Sequence, residues 1–208
     1  MKKILIILLS IIFLYNSYAF ALNKPLEYHQ LNQKISNAPK IMHFFSFFCP
    51  YCYLFEKKYH ITDFMKNNLE KKNHFISYHL SFKNDPLSIL LTKIWIIAQI
   101  IGVEDKIIIP FFKAIQETHT IHNEDHIKSL FIKETNINKK KYDQLWNSFS
   151  INMILQKNIQ NVNKMKIDYI PTIIINGQYI LDNYFLEKYF QENHSKKYIQ
   201  MIQSLIKK

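Results

Sequence analysis

The feature that most constrains this chain is a nearly continuous apolar run, Ile41 to Phe48, that ends directly on Cys49-Pro50-Tyr51-Cys52. Apolar residues with so little polar alternation are the pattern of a strand buried on both faces. The cysteines follow without a linker, where a helix can begin. A thiol at a helix N-terminus faces unpaired backbone N–H groups and the positive end of the helix dipole, and both favour thiolate over thiol. Cys49 is therefore the expected nucleophile. Cys52 lies one turn further on the same face, close enough to attack a mixed disulfide at Cys49 and expel the partner, so it is the expected resolving thiol. Taken alone, the pair still admits an oxidase, a reductase or a pair of metal ligands.

The N-terminus narrows the compartment. Lys2 and Lys3, an apolar stretch from Ile4 to Leu14 and the small-residue site Ala19-Phe20-Ala21 have the form of a secretory signal cleaved after Ala21, with an uncleaved anchor as the alternative. No later segment offers an uninterrupted run of about 20 apolar residues. An exported domain may use disulfides, but one pair closing so small a loop restrains the unfolded chain very little, so it reads as a reversible dithiol and not as a staple. Removing 21 of the 208 residues leaves 187, enough for a core without staples.

The formal charge of +11, or +9 without Lys2 and Lys3, raises nucleic acid as a partner. All 27 cationic residues are lysine, however, and arginine, the residue best suited to bidentate phosphate or base contacts, is absent. The lysines are also scattered, as expected of a solvated surface, and no nucleic acid is expected.

Along the chain, Cys49 to Leu69 keeps helical spacing with a break near His60 to Asp63, and Phe75 to Phe82 alternates as a strand. Together with the first strand this is a β-α-β unit with a parallel crossover. Asp85-Pro86 opens a region that is helical throughout: Leu87 to Ile101, Lys106 to Glu117, Glu124 to Thr135, Lys139 to Asn147 and Ser150 to Met165. Asn123 and Asn138 are candidate N-caps and Gly102 a candidate C-cap. Asn176-Gly177, between two β-rich runs within Ile170 to Leu181, predicts a two-residue type I′ hairpin. Phe185, Tyr189, Phe190, Tyr198, Ile202, Leu205 and Ile206 suit terminal helices that cover the sheet. The organisation is α/β, with an all-helical unit inserted between two halves of a sheet domain.

A Cys-x-x-Cys beside a β-α-β pattern suggests a thioredoxin-like redox motif. Phe44 to Glu56, Gly102-Val103-Glu104-Asp105-Lys106, Tyr142 to Phe149, and Ile170-Pro171-Thr172 with Asn176-Gly177 resemble, in the same order, the DsbA family of periplasmic disulfide oxidases. The resemblance runs from about Leu26 to the C-terminus. It implies a thioredoxin fold divided as 22–82 and 161–208 around a helical insertion at 83–160, behind the signal at 1–21. It further implies an enzyme of the periplasm that donates a redox-active Cys49–Cys52 disulfide to reduced, newly exported polypeptides. A DsbB-like, quinone-linked membrane oxidase would reoxidise it. Pro171 would be the cis-proline facing the pair, with Ile170 and Thr172 beside the substrate. A monomer is expected, with no cofactor and no metal.

Two departures from the family pattern concern the residues that modulate the pair. The best-known members carry histidine where Tyr51 stands after Pro50, and Tyr51 supplies no cation near neutral pH. This predicts a less oxidising enzyme. Members also place a buried glutamate at the position of His43 and a lysine at that of Ser77. His43 could relay protons to Cys52, or be a neutral core histidine. Glu56 is retained, either within the same polar pocket or solvated. His60, His79, His119, His122 and His126 complete no four-ligand set with the cysteines, although His122 and His126, one turn apart, could hold a metal weakly if they are not simply a solvated face. Aromatic residues near Tyr51 and Tyr53 could line a peptide groove. The alternatives on the same motif are a reductase or isomerase, and a chaperone-like peptide-binding module.

Overall fold

The structure, a computed structural model, describes residues 28–68, 75–81, 85–182, 188 and 195–208. The expected signal and its cleavage site, Leu69, Phe82, Phe185, Tyr189 and Phe190 lie outside the described residues. Five strands form one mixed sheet: β1 (Tyr28–Gln30), β2 (Ile41–Phe45), β3 (Phe75–His79), β4 (Thr172–Ile175) and β5 (Tyr179–Leu181). Their order is β1-β5-β4-β2-β3. β2 pairs parallel with β3 and antiparallel with β4, β4 pairs antiparallel with β5, and β5 antiparallel with β1.

β2 is central, and all five of its residues are buried. Successive side chains of a strand point to opposite faces. Ile41 packs with Phe55 and Tyr59 of α1 (Pro50–Tyr59), Ile61 and Met65 of α2 (Ile61–Asn68), and Tyr198, Ile202 and Leu205 of the terminal helix, here α8 (Ser195–Lys207). Met42 and Phe44, on the other face, pack with Ile174, Leu31, Ile35, Val162 and Met165. The continuous apolar run is thus explained by cover on both sides. Between α1 and α2, His60 takes the left-handed conformation at φ 47° and its N–H closes on Glu56 O, which is the break expected there.

The insertion between β3 and β4 comprises α3 (Pro86–Ile101), α4 (Glu104–Gln116), α5 (Glu124–Thr135), α6 (Lys139–Trp146) and α7 (Phe149–Met165). Asn123 and Asn138 cap α5 and α6 through their side chains, and Gly102 ends α3 at φ 69°. α4 begins two residues before the expected Lys106, because Glu104 and Asp105 suit the positive end of its dipole and both pair with Lys66 of α2, at 3.0 and 2.6 Å. Trp95 anchors α3 on the sheet: its Nε1 donates to Ser77 O at 2.9 Å and its ring meets Phe45 edge-on at 4.9 Å. α7 runs unbroken through residues 160 and 161.

The hairpin loop has three residues, 176–178, because Ile175 pairs with Tyr179. Asn176 and Gly177 do have positive φ, 53° and 66°, and Gln178 N–H closes the turn on Ile175 O at 3.0 Å. Gln178 stays out of the β4–β5 ladder because its carbonyl accepts from Leu31 N–H, while that of Gly177 accepts from Ile35 N–H, each at 2.8 Å. The strand expected over Phe75 to Phe82 ends its ladder at His79. Finally, β1 is an edge strand too short to leave a sequence pattern.

Candidate active site

Cys49 is the N-cap of α1, with φ −85° and ψ 114°, and Pro50 fills the first helical position, where no N–H is needed. The Cys52 backbone N–H donates to Cys49 Sγ at 3.2 Å. Both cysteines are thiols; Cys49 is half-buried and Cys52 buried. The two sulfurs differ in their acidity for physical reasons. A hydrogen bond from the Cys52 thiol, helped by the backbone N–H groups of Cys52 and Tyr51 and opposed by burial, lowers the Cys49 pKa from 9.0 to about 7. Burial first, and then the donation to Cys49, push the Cys52 thiol far above its ordinary range. One sulfur is poised as a thiolate and the other is held as a thiol.

The loop before β4 meets this pair. Cys49 Sγ lies 3.7 Å from Ile170 O, and the Ile170–Pro171 peptide is cis. Ile170 is half-buried; the Thr172 side chain is buried and donates to Tyr169 O at 2.5 Å, bracing the loop. Residues 121 positions apart are joined here because β4 lies beside β2, with Thr172 opposite Phe44. Tyr51, between the cysteines, is 66% exposed. Tyr53 is not available to a groove: it is buried, stacks on Phe112 at 5.2 Å and donates to Glu117 Oε1 at 2.8 Å. A depression of about 510 Å³ beside the motif is lined by Phe48, Pro50, Leu87, Ile115, His119 and Ile121, among others. A larger one, about 610 Å³, is lined by Asp63, Lys66, Gln99 and Glu104 among others, none of them in the cysteine motif. Only the smaller of these two adjoins Cys49, through Phe48 and Pro50.

Glu56 is 3% exposed, not solvated, and accepts from Thr62 Oγ1 at 2.5 Å and Thr62 N at 3.4 Å. Burial raises its pKa to about 7, and its charge helps keep Cys52 protonated. His43 is buried and hydrogen-bonds through Nδ1 to Ser77 Oγ at 3.2 Å. Burial lowers its pKa to about 4. No hydrogen bond joins it to Cys52 among the described residues. His122 precedes α5, and its N–H donates to His126 Nδ1 at 3.2 Å, so the pair is committed to the helix start.

Sequence reasoning did not single out His79 or Ser46 for this site. His79 Nε2 accepts from Phe47 N–H at 3.1 Å and its Nδ1 lies 2.8 Å from Thr92 Oγ1. Nε2 as acceptor makes Nδ1 the protonated nitrogen, and burial keeps the ring neutral. Ser46 Oγ accepts from Phe48 N–H at 3.2 Å and Ser46 O from Cys49 N–H at 3.0 Å. A polar residue inside an apolar strand, at Ser46 and at His79, was the available signal.

Residues 40–191 match the model of the DSBA-like thioredoxin domain. The chain is 49% identical over 208 residues, all of both chains, to the thiol:disulfide interchange protein DsbA of Buchnera aphidicola subsp. Schizaphis graminum. It is 33% identical over 182 residues to DsbA of Escherichia coli K12, covering 88% of this chain and 87% of that one. It also resembles the structure of Proteus mirabilis DsbA with a non-covalently bound peptide, PWATCDS, at 30% identity and TM-score 0.79, over 89% of this chain and 98% of that one.

Proposed function

The chain belongs to the DSBA-like thioredoxin domain family and is a disulfide oxidoreductase of thiol:disulfide interchange, and on that premise we propose that it oxidises newly exported polypeptides in the periplasm. The observation that carries this reading is the Cys52 N–H donated to Cys49 Sγ at 3.2 Å at the start of α1. In the disulfide form, a substrate thiolate attacks Cys49 Sγ, the Cys49–Cys52 bond breaks and Cys52 leaves as the thiol, taking up a proton. A second substrate thiolate then attacks the substrate sulfur of the mixed disulfide, forms the substrate disulfide and expels Cys49 as thiolate. Two electrons pass from substrate to enzyme. Stabilising that thiolate favours the reduced enzyme and so makes its disulfide easy to give away.

Ile170, Pro171 and Thr172 line the substrate backbone, and Pro50, Tyr51, His43 and Glu56 tune the pair. A DsbB-like membrane oxidase restores the disulfide and passes the electrons to quinone. The protein acts as a monomer after its signal, residues 1–21, is removed. Refolding a reduced, disulfide-containing substrate with stoichiometric oxidised protein tests the reading. One substrate disulfide should form per Cys49–Cys52 pair consumed, Cys49→Ser should abolish turnover, and Cys52→Ser, offered the already oxidised substrate, should be trapped as a mixed disulfide by attack of Cys49 on the substrate disulfide, with the second substrate sulfur leaving as a thiol. Suppression of substrate aggregation that survives Cys49→Ser, with no disulfide transferred by the wild type, would establish the binding-module alternative instead.

A further inference from the structure

The turn that delivers Cys49 to α1 is held from two sides. From the sheet, His79 accepts Phe47 N–H, and Ser46 accepts the N–H groups of Phe48 and Cys49. From the insertion, Gln116 at the end of α4 donates its amide to two carbonyls of the turn, Phe47 O at 2.7 Å and Cys49 O at 3.1 Å. Gln116 is half-buried, and it stands 67 residues from Cys49 in the chain.

The second of these contacts matters because of Pro50. The Cys49–Pro50 peptide has no N–H, so only its carbonyl oxygen can fix the orientation of its plane. That oxygen accepts Tyr53 N–H along the helix, at 3.1 Å, and Gln116 from the insertion. The plane is described by Cys49 ψ, 114°, which sets where the side chain stands relative to the helix that follows. Rotation about this bond would carry Sγ away from the Cys52 N–H that it accepts at 3.2 Å.

We infer that Gln116 is a positioning residue for disulfide exchange: by tying the Phe47 and Cys49 carbonyls to the insertion, it holds Cys49 in the N-cap conformation in which Sγ receives the Cys52 N–H. This rests on the reading of Cys49 as the exchanging thiol. Loss of hydrogen bonds of this kind is enough to change thiolate stability measurably.

Gln116→Met keeps the length of the side chain and removes both donors. Thiolate absorbance followed against pH in the reduced protein should show the Cys49 midpoint moved upward, with the thiolate signal at pH 7 reduced about two- to fivefold. The equilibrium with glutathione should move toward the oxidised enzyme. Glu117→Gln weakens the neighbouring bond from Lys57, at 2.6 Å, without touching the turn, and should leave the Cys49 titration in place. Should Gln116→Met fail to fold, Gln116→Asn, with the same amide one methylene short, carries the comparison. A folded Gln116 variant with an unchanged titration, or an equal shift in Glu117→Gln, overturns the inference. If wild-type Cys49 itself titrates as an ordinary thiol, the disulfide-donor reading fails and takes this inference with it, so the two failures are distinguishable.

Discussion

His43 and Ser77 face each other across the parallel β2–β3 ladder, with His43 Nδ1 3.2 Å from Ser77 Oγ. The imidazole lies against Phe45 and Phe75, with ring centroids 5.5 and 6.1 Å away, and burial lowers its pKa to about 4. It is therefore uncharged at neutral pH and adds no cation to the field at Cys49. His43→Leu should leave the Cys49 thiolate titration where it is between pH 5 and 9. It should lower stability by about 1 kcal/mol, because Ser77 Oγ loses its partner. A displaced titration would assign His43 a part in the chemistry.

Cys49 makes the stability of the reduced protein depend on pH. Its pKa is lowered from 9.0 to about 7 on folding. A depressed acid contributes stability that is fully present above the unfolded value, near 9, and is lost as the pH falls through 7. The disulfide form has no such titration. Denaturant unfolding of both forms at pH 5 and pH 8 should show the reduced form gaining relative to the oxidised one at the higher pH. A difference that is flat with pH would contradict the lowered pKa.

Tyr51 stands 66% exposed at the second helical position, where a cation would face the Cys49 thiolate. Tyr51→His should therefore make the protein more oxidising, read as a higher fraction of reduced enzyme in a glutathione buffer at pH 6 to 7. Equal potentials for the two proteins would show that this position does not set the thiolate energy here.

Glu56 acts in the opposite sense to Cys49. Burial raises its pKa from 4.5 to about 7. Its contribution is fully present below pH 4.5 and is lost as the pH rises to 7, where the folded state must hold a buried carboxylate. Glu56→Gln should stabilise the protein by about 1–2 kcal/mol at pH 8 and change it little at pH 4, as measured by urea unfolding. Equal effects at the two pH values would mean that the carboxyl does not titrate abnormally.

Gly177 and Gly102 separate backbone conformation from space. Both have positive φ, 66° and 69°. A Cβ at Gly177 would fall 2.6 Å from Ile35 O and 2.9 Å from Ala38 Cβ, whereas one at Gly102 meets nothing within 4 Å. Gly102→Ala should cost about 1 kcal/mol, the conformational penalty alone. Gly177→Ala should cost more than about 2 kcal/mol, because the 31–38 segment must also move. Similar losses in thermal unfolding would show that the segment yields freely.

Several parts of this architecture are legible in the chain because their causes are local. The apolar run from Ile41 forces a doubly covered strand, Asn123 and Asn138 cap through their own side chains, and Gly102 supplies the left-handed residue that ends α3. The break at His60 and the positive φ values at Asn176 and Gly177 are equally local. β1 leaves no pattern because three edge residues carry no periodicity. The extra loop residue Gln178 depends on Leu31, and the early start of α4 depends on Lys66, both remote in sequence.

The same division runs through the active site. Two cysteines three apart after a buried strand, with proline at the first helical position, determine by themselves a helix N-terminus that favours thiolate at Cys49, since the dipole and the free N–H groups belong to that helix. Tertiary structure alone decided the rest: that β4 brings Ile170 O to 3.7 Å from Cys49 Sγ, that His43 turns to Ser77, that Glu56 is buried against Thr62, and that Gln116 reaches the Cys49 carbonyl. Those relationships join residues 6 to 121 positions apart. Which of them meet is set by strand order and helix packing, and no local pattern records either.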